Sequence, residues 1–410
     1  MILLIKQGGT EMVTSVNHHF AMKKKGAVLL VLSLFIFCNI RAQDTTHQNA
    51  AQYIRNIPHE TAWEKWMWIH RSVAYLITQE HTPYFDTAFV KTYKKSVSLT
   101  LPISTRFLRF NLKDWASGNN LNYAPNSTYD LGFSVSSRWA TFQLLTGVRI
   151  YQNYKNQKGE TRYRDYQFNI YGRRVTSDIF YQNYKGFYLS NSLSYPDYSN
   201  AVRYATRNDI NAISFGVSSY YIFNSKKFSY RNAFAYTEVQ KKSAGSFLLG
   251  TYFFLFNVKG DSSLVGSPFR ASFDSLSYLG NSTLQTYGLN IGYIYTFLFF
   301  KRFYTTISLV QGIGLEQTLY NSELGKSFSS PLRGAAKINC RFALGYNMGR
   351  FYMGTMGIVD YFYFSSKTNT TFNFSMGKLC AFVGYRFYFL KTEKKILKKL
   401  GLIEWEKKTP

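Results

Sequence analysis

Asp178, Glu238, Glu316 and Asp360 lie in or beside the most regularly patterned segments of the chain, and Arg149, Arg173, Arg231, Arg341 and Arg386 are placed to face them. Such groups can act as general acid and base, line an ion-selective passage, or neutralise one another where water is scarce. The histidines narrow the choice. All six (His18, His19, His47, His59, His70 and His81) precede residue 82. Serine hydrolysis or histidine-dependent acyl transfer within 82–410 would lack its imidazole. Cys340 and Cys380 cannot complete a metal set without histidine. No catalytic residue, metal or cofactor is therefore expected. Mutual pairing is the expected role of the polar candidates Arg149, Arg173, Asp178, Arg231, Arg341, Asp360 and Arg386.

The patterning shows what kind of scaffold must hold these charges. Within 370–390, Leu379, Ala381, Val383, Tyr385, Phe387 and Phe389 share one face of an extended chain, and Cys380, Phe382, Gly384, Arg386 and Tyr388 share the other. A strand alternates its side chains between two faces, so one face is apolar and one mixed. In 287–299, Tyr287, Leu289, Ile291, Tyr293, Tyr295 and Phe297 alternate with Gly288, Asn290, Gly292 and Thr296. In 335–347, Ile338, Cys340, Phe342, Leu344 and Tyr346 alternate with Lys337, Asn339, Arg341, Gly345 and Asn347. Segment 139–151 sets Phe142, Leu144, Val148 and Ile150 against Thr141, Gln143, Gly147 and Arg149. A strand crossing a bilayer needs ~9–11 tilted residues with an apolar outward face and a free inward one. The expected fold is all-β: an antiparallel transmembrane β-barrel with a wet, tightly curved interior.

Composition agrees. Aromatic residues make up 19% of the 410, with 34 Tyr and 36 Phe, yet the mean hydropathy is slightly negative. No window beyond residue 43 is apolar enough for a spanning helix. A soluble β-sandwich or solenoid would not need tyrosine and phenylalanine along whole outer faces. The net charge of +27 raises nucleic acid as a partner. The basic residues are scattered, however, no nucleic-acid motif is present, and the chain carries an export signal, so no nucleic acid is expected. Outer-membrane lipid and lipopolysaccharide are the expected counter-charge, and the barrel-assembly machinery the expected reader of the aromatic-rich closing strand.

The signal sits at 22–43: basic Met22-Lys23-Lys24-Lys25, an apolar run over 26–38, then Ala42 before Gln43. This predicts a secretory signal peptide cleaved after Ala42, with 1–21 an upstream leader, and Met1 or Met22 as the start. Cys38 lacks the small residue before it that a lipoprotein site wants. In 43–92, Trp63, Trp66, Met67, Ile69, His70, Val73, Ala74 and Ile77 recur at helical spacing and predict a short periplasmic helix. At the other end, 391–410 carries seven lysines amid Ile396, Leu397, Leu400, Leu402, Ile403 and Trp405, a basic amphipathic tail. The barrel is expected over 93–390. Cys340 and Cys380 fall on opposite faces of their strands, which excludes a disulfide and makes both small buried residues.

Outer-membrane barrels alternate short and long connections. Short ones fall at 137–138, 172–174, 224–227, 300–302 and 347–349; long ones fall at 113–128, 152–162, 185–208, 259–283 and 318–334. About 12 strands result with 95–112 unbroken and 245–258 in an outer excursion. About 14 result with 245–258 spanning and a break at Pro102. Tyr184, Phe187, Tyr188, Tyr195 and Tyr198 cluster where a strand meets a long loop, as a glycan or lipid platform or as an interfacial aromatic girdle.

Segments 86–93 (DTAFVKTY), 122–139 (NYAPNSTYDLGFSVSSRW), 158–191 (KGETRYRDYQFNIYGRRVTSDIFYQNYKGFYLSN) and 220–250, with QKKSAGSFLLG at 240–250, carry a more specific signal. Over about 86–389 the chain resembles the Bacteroidota family catalogued as domain of unknown function 4421. The resemblance implies an outer-membrane β-barrel and brings no catalytic residue with it. The expected protein is a monomeric or weakly oligomeric outer-membrane barrel, structural or transport-related and not an enzyme. The alternatives are a carboxylate-dependent enzyme acting on envelope lipid or glycan, and a receptor or adhesin working through its long loops.

Overall fold

The computed structural model describes residues 85–388 except 94–95, 116, 138–139, 153–154, 196–202, 274–276 and 365–369. The signal peptide, the 58–77 helix, all six histidines, Tyr198 and the basic tail lie outside the described residues. The strands are β1 (Val90–Thr92), β2 (Ser96–Asp114), β3 (Asn120–Ala124), β4 (Thr128–Ser137), β5 (Ala140–Gln152), β6 (Arg162–Tyr171), β7 (Val175–Leu189) and β8 (Thr206–Ile222). They continue with β9 (Glu238–Gln240), β10 (Ala244–Lys259), β11 (Leu279–Phe299), β12 (Phe303–Ser322), β13 (Ser327–Ser329), β14 (Arg333–Met348), β15 (Phe351–Phe364) and β16 (Thr370–Tyr388). Two short α-helical turns interrupt them among the described residues, α1 (Lys155–Lys158) and α2 (Tyr230–Phe234).

Every long strand pairs antiparallel with its sequence neighbour, and β16 returns to β2 from Thr370↔Asp114 to Tyr388↔Ser96. The main sheet has 14 strands among the described residues. β13 pairs with β12 alone, and β3 bridges β2 and β7 beside the path, so the closed ring is β2, β4 to β8, β10 to β12 and β14 to β16. Closure gives every ring strand a partner on both sides. The ring has a turn end, with the tight connections after β4, β6, β11 and β14, and a loop end with the long ones.

Two sequence expectations change here. The 245–258 stretch is not an outer excursion: Ala244–Lys259 is a ring strand paired along its length with β8 and β11. What lies outside the ring is 223–243, which carries α2 and the three-residue β9 and turns inward at the turn end. Asn224 opens this segment rather than a hairpin. β2 does run unbroken through Pro102, as the smaller strand count requires. Its β4 register skips from Thr100↔Ser134 to Ile103↔Leu131, so the missing proline N–H falls in a gap of the ladder.

The outward face is the apolar one. Leu379, Val383, Tyr385 and Phe387 of β16, Tyr287, Leu289, Ile291 and Tyr293 of β11, and Phe342 and Leu344 of β14 are all exposed. Cys340 shares that outward face and is exposed, not buried as its small size suggested; Cys380 is buried inside, and both are free thiols. On β16, Tyr388 also lies outside, at the strand's end.

The interior is not wet throughout. Toward the loop end, Phe110, Phe254, Phe256, Phe362, Phe372 and Phe374 fill the lumen as one buried cluster with Leu108, Tyr184 and Phe187. Phe254 and Phe362 stack at 4.4 Å, and Phe256 meets Phe374 at 4.5 Å. Leu264, Val265, Phe269 and Phe273 from the β10–β11 loop join the cluster, and the Tyr123 hydroxyl donates to the Leu264 carbonyl at 2.5 Å. The wide ring is closed by folding its own loop into its mouth. Burying so many rings strongly stabilises the fold, since each hides a large apolar area.

Candidate functional site

Below the aromatic cluster the inward positions of six strands become charged. β6 presents Asp165, Gln167 and Asn169 at alternate positions, and β14 presents Lys337, Asn339 and Arg341. Asp178 and Gln182 come from β7, Asp360 from β15, Arg106 from β2 and Lys378 from β16. Because alternation fixes the face, each arrives in the lumen with no special local structure.

The charges form a belt that crosses the lumen. Arg341 Nη2 pairs with Asp178 Oδ2 at 2.8 Å, although β8, β10, β11 and β12 separate their strands along one side of the ring. Lys337 Nζ lies 2.9 Å from Asp360 Oδ1 and 3.2 Å from the Ser218 hydroxyl of β8. Arg106 pairs with Asp165, whose second partner is the Gln182 amide at 2.7 Å. Asn339 ties the belt laterally: its amide donates to Asp360 at 3.0 Å, and its carbonyl oxygen accepts from Arg341 Nε at 2.9 Å. Lys378 approaches Gln167 at 3.5 Å. Each carboxylate is engaged by a cation and an uncharged donor, which is what keeps a buried charge tolerable. A cavity of about 90 Å³ remains between the walls, lined by Arg106, Asn169, Asp178, Arg341, Lys378 and Phe382 among others. That is far below the ~300 Å³ of the smallest ordinary ligand pockets.

The 223–243 segment closes the turn end. Ser229 caps α2, its hydroxyl accepting from the Asn232 N–H at 3.2 Å, while β9 pairs with β1 from Val90↔Gln240 to Thr92↔Glu238. The last part of the region preceding the barrel is thus a strand partner for this segment. Buried Glu238 is held by Arg173 at 2.6 Å, Arg231 at 3.3 Å and the Ser229 hydroxyl at 2.5 Å. Tyr236, at φ 61°, stacks on Tyr352 at 4.9 Å and meets Phe382 at 4.4 Å. Its carbonyl accepts from Arg386 Nε at 2.6 Å. Arg386 sits between the Tyr93 and Tyr352 rings, 4.5 Å from each, and donates to Asn347 at 3.0 Å and to the Gly349 carbonyl. The segment touches the belt where Arg341 Nη1 donates to the Tyr230 hydroxyl at 2.6 Å. Burial raises the Tyr230 and Tyr236 phenols well above the ordinary tyrosine range, so both stay neutral.

The sequence candidates distribute as follows. Asp178, Arg341 and Asp360 meet in the belt. Arg173 lies in the β6–β7 turn and Arg231 on α2, so both serve the inward segment rather than the strand wall. Arg386 faces the lumen from β16 as expected. Arg149 lies in β5 at the register position of Asp130. Glu316 faces Arg333 across the β12–β14 pair near the loop end, away from the belt. Tyr184, Phe187 and Tyr188 are buried, and Tyr195 packs against the aromatic cluster with its hydroxyl donating to the Asn120 carbonyl at 2.5 Å. Tyr184, Phe187 and Tyr195 are neither an exposed platform nor an outward girdle but help stop the lumen, while Tyr188 packs edge-on against Tyr204 at 5.2 Å. Arg106, Asp165 and Lys378 were not singled out from sequence, and Lys337 only as one of the mixed-face residues of 335–347, although parity alone would have placed them inside.

No curated protein matches the chain. Among solved structures, the outer-membrane protease OmpT of Escherichia coli is 8% identical over 72% of this chain and 98% of its own, with a TM-score of 0.34. The translocator domain of the autotransporter NalP of Neisseria meningitidis is 9% identical over 80% of this chain and 97% of its own, with a TM-score of 0.31. The toluene transporter TodX of Pseudomonas putida is 8% identical over 72% and 90%, with a TM-score of 0.25. Overlap this loose says nothing about activity. A family model described as a domain of unknown function, DUF4421, matches residues 85–387, and the chain belongs to that family.

Proposed function

We propose that the protein is an integral outer-membrane β-barrel, held shut at rest by its own 223–243 segment, with a transport-related role in which that segment must yield. The outward apolar face and closed ring support the membrane reading. The observation that carries the closed state is Arg386: one buried guanidinium holds the Tyr236 carbonyl, the β14–β15 turn and two tyrosine rings together. An open pore would instead show a continuous polar lumen, and here the charges are spent on each other between two plugs. Each belt carboxylate being engaged supports no catalytic role. Two measurements test the reading. The detergent-purified protein should migrate differently on a denaturing gel before and after boiling; soluble protein with no shift would sink the membrane assignment. In planar bilayers the wild type should show no steady conductance, and replacement of 223–243 by a short turn should expose the buried Cys380 thiol to a charged maleimide from the turn end. A steadily open wild type would sink the closed state.

A further inference from the structure

At the loop end of the outward face, β6 and β7 set like charges against each other. Arg162 pairs in register with Lys185, and Arg164, one outward position along, lies opposite Asn183. Lys185 in turn faces Asn211 on β8. Directly opposed like charges destabilise an antiparallel pair, so sheets avoid them unless something else satisfies the charge. Glu160 engages Arg162 at 3.5 Å and Lys155 at 3.2 Å. Among the described residues, neither Arg164 nor Lys185 has an ion-pair partner.

The backbone is shaped to keep Lys185 there. The β7–β8 register shifts between Lys185 and Phe187, and Gly186 sits at φ 92° with its carbonyl accepting from the Thr161 hydroxyl at 2.8 Å. A Cβ at Gly186 would run into the Glu160 carbonyl, so only glycine permits the approach. Register shifts of this kind re-aim side chains. Immediately toward the turn end the same face becomes apolar, with Tyr166 and Tyr181 exposed and stacked at 6.3 Å, and Phe168 beyond them. The polar-to-apolar boundary on these strands therefore runs between Arg164 and Tyr166.

We infer that Arg162, Arg164 and Lys185, with the Asn183 and Asn211 amides beside them, form a binding site on the barrel wall for the phosphate of an anionic lipid in the outer leaflet. The cations stand at headgroup height, and the Tyr166–Tyr181 pair lies where acyl chains begin. A phosphate between β6 and β7 relieves the opposed charges, and its acyl chains cover the rings. This assignment rests on the outer-membrane reading, which the gel shift tests separately.

The test is retention of bisphosphorylated lipid A. The protein is placed in phosphatidylcholine nanodiscs containing that lipid, transferred to detergent, and the bound lipid is counted by native mass spectrometry. The wild type should retain lipid A. Arg164→Gln with Lys185→Gln should weaken retention by roughly fivefold for each charge removed, while Lys326→Gln in the β12–β13 turn should not. Equal retention by the double variant would overturn the site, as would equal retention of dephosphorylated lipid A. Displacement by inorganic phosphate alone would likewise overturn a lipid source. If the double variant loses its gel shift, Lys185→Met alone is read in its place, with the same criteria.

Discussion

Arg386 Nε donates to the Tyr236 carbonyl at 2.6 Å across 150 residues of sequence, and through that bond the closing strand holds the inward segment in the lumen. A charged donor to a buried acceptor contributes about 1.5–3 kcal/mol. Arg386→Ala also takes the donor from the Gly349 carbonyl and one of two donors from the Asn347 side-chain oxygen, so a loss of about 3 kcal/mol or more is expected. Arg386→Lys should recover little, because an ammonium cannot reproduce the planar fork between the Tyr93 and Tyr352 rings. Chemical denaturation of the detergent-folded protein measures the loss. Labelling of the buried Cys380 by a charged maleimide in Arg386→Ala is the expected functional sign, and an unlabelled, fully stable variant would refute the role.

The belt makes a second prediction. Arg341→Leu leaves the largely enclosed Asp178 with only the Tyr171 hydroxyl, at 2.9 Å, as a strong partner. Removing one member of a buried ion pair costs about 3–5 kcal/mol. Arg341→Leu with Asp178→Asn should be clearly more stable than Arg341→Leu alone, because no uncompensated charge remains. A double-mutant cycle showing additivity would mean that the two groups do not interact across the lumen.

How far these groups could be read from sequence depends on parity. In β14 and β16 one face is apolar and the other holds Lys337, Asn339, Arg341 or Arg386, so the faces separate on sight. In β10, TYFFLFNV at 251–258 is apolar on both faces. Outward Phe253 and Leu255 look the same as inward Phe254 and Phe256, so parity could not correct the loop-length count that set this stretch outside the ring, and the aromatic plug went unseen. The inward segment was obscured differently. Arg231 and Glu238 meet only because α2 and the reversal at Tyr236 fold 229–238 back on itself, and no two-residue or helical period marks such a loop. The β5 irregularity was faintly legible: two leucines in a row, Leu144 and Leu145, break the alternation where the β4 register shifts.

Glycine-to-ring contacts between neighbouring strands offer a third test. The Tyr352 ring lies over Gly384 of β16, and a Cβ there would fall inside the ring. Gly384→Ala should therefore cost about 1–3 kcal/mol by overpacking. It should also displace Tyr352 from the Thr100 hydroxyl, which it meets at 2.7 Å. Tyr352→Leu should relieve the clash, so the double variant should regain part of the heat-resistant band that Gly384→Ala loses. Equal loss in both would place the defect elsewhere.

Cys340 and Cys380 give the last prediction and report on orientation. Cys340 faces outward from β14, while Cys380 is buried in the lumen between the Lys378 and Phe382 positions of β16. In bilayers, a membrane-soluble maleimide should label Cys340, and a charged, impermeant maleimide should label neither thiol. Deleting 223–243 removes the Tyr236 ring that packs on Phe382 and opens the turn end. Cys380 should then react with the impermeant reagent while Cys340 stays protected by lipid. Tryptic mass spectrometry distinguishes the two sites. Labelling of Cys340 by the impermeant reagent would mean that the apolar face meets water and would overturn the membrane assignment.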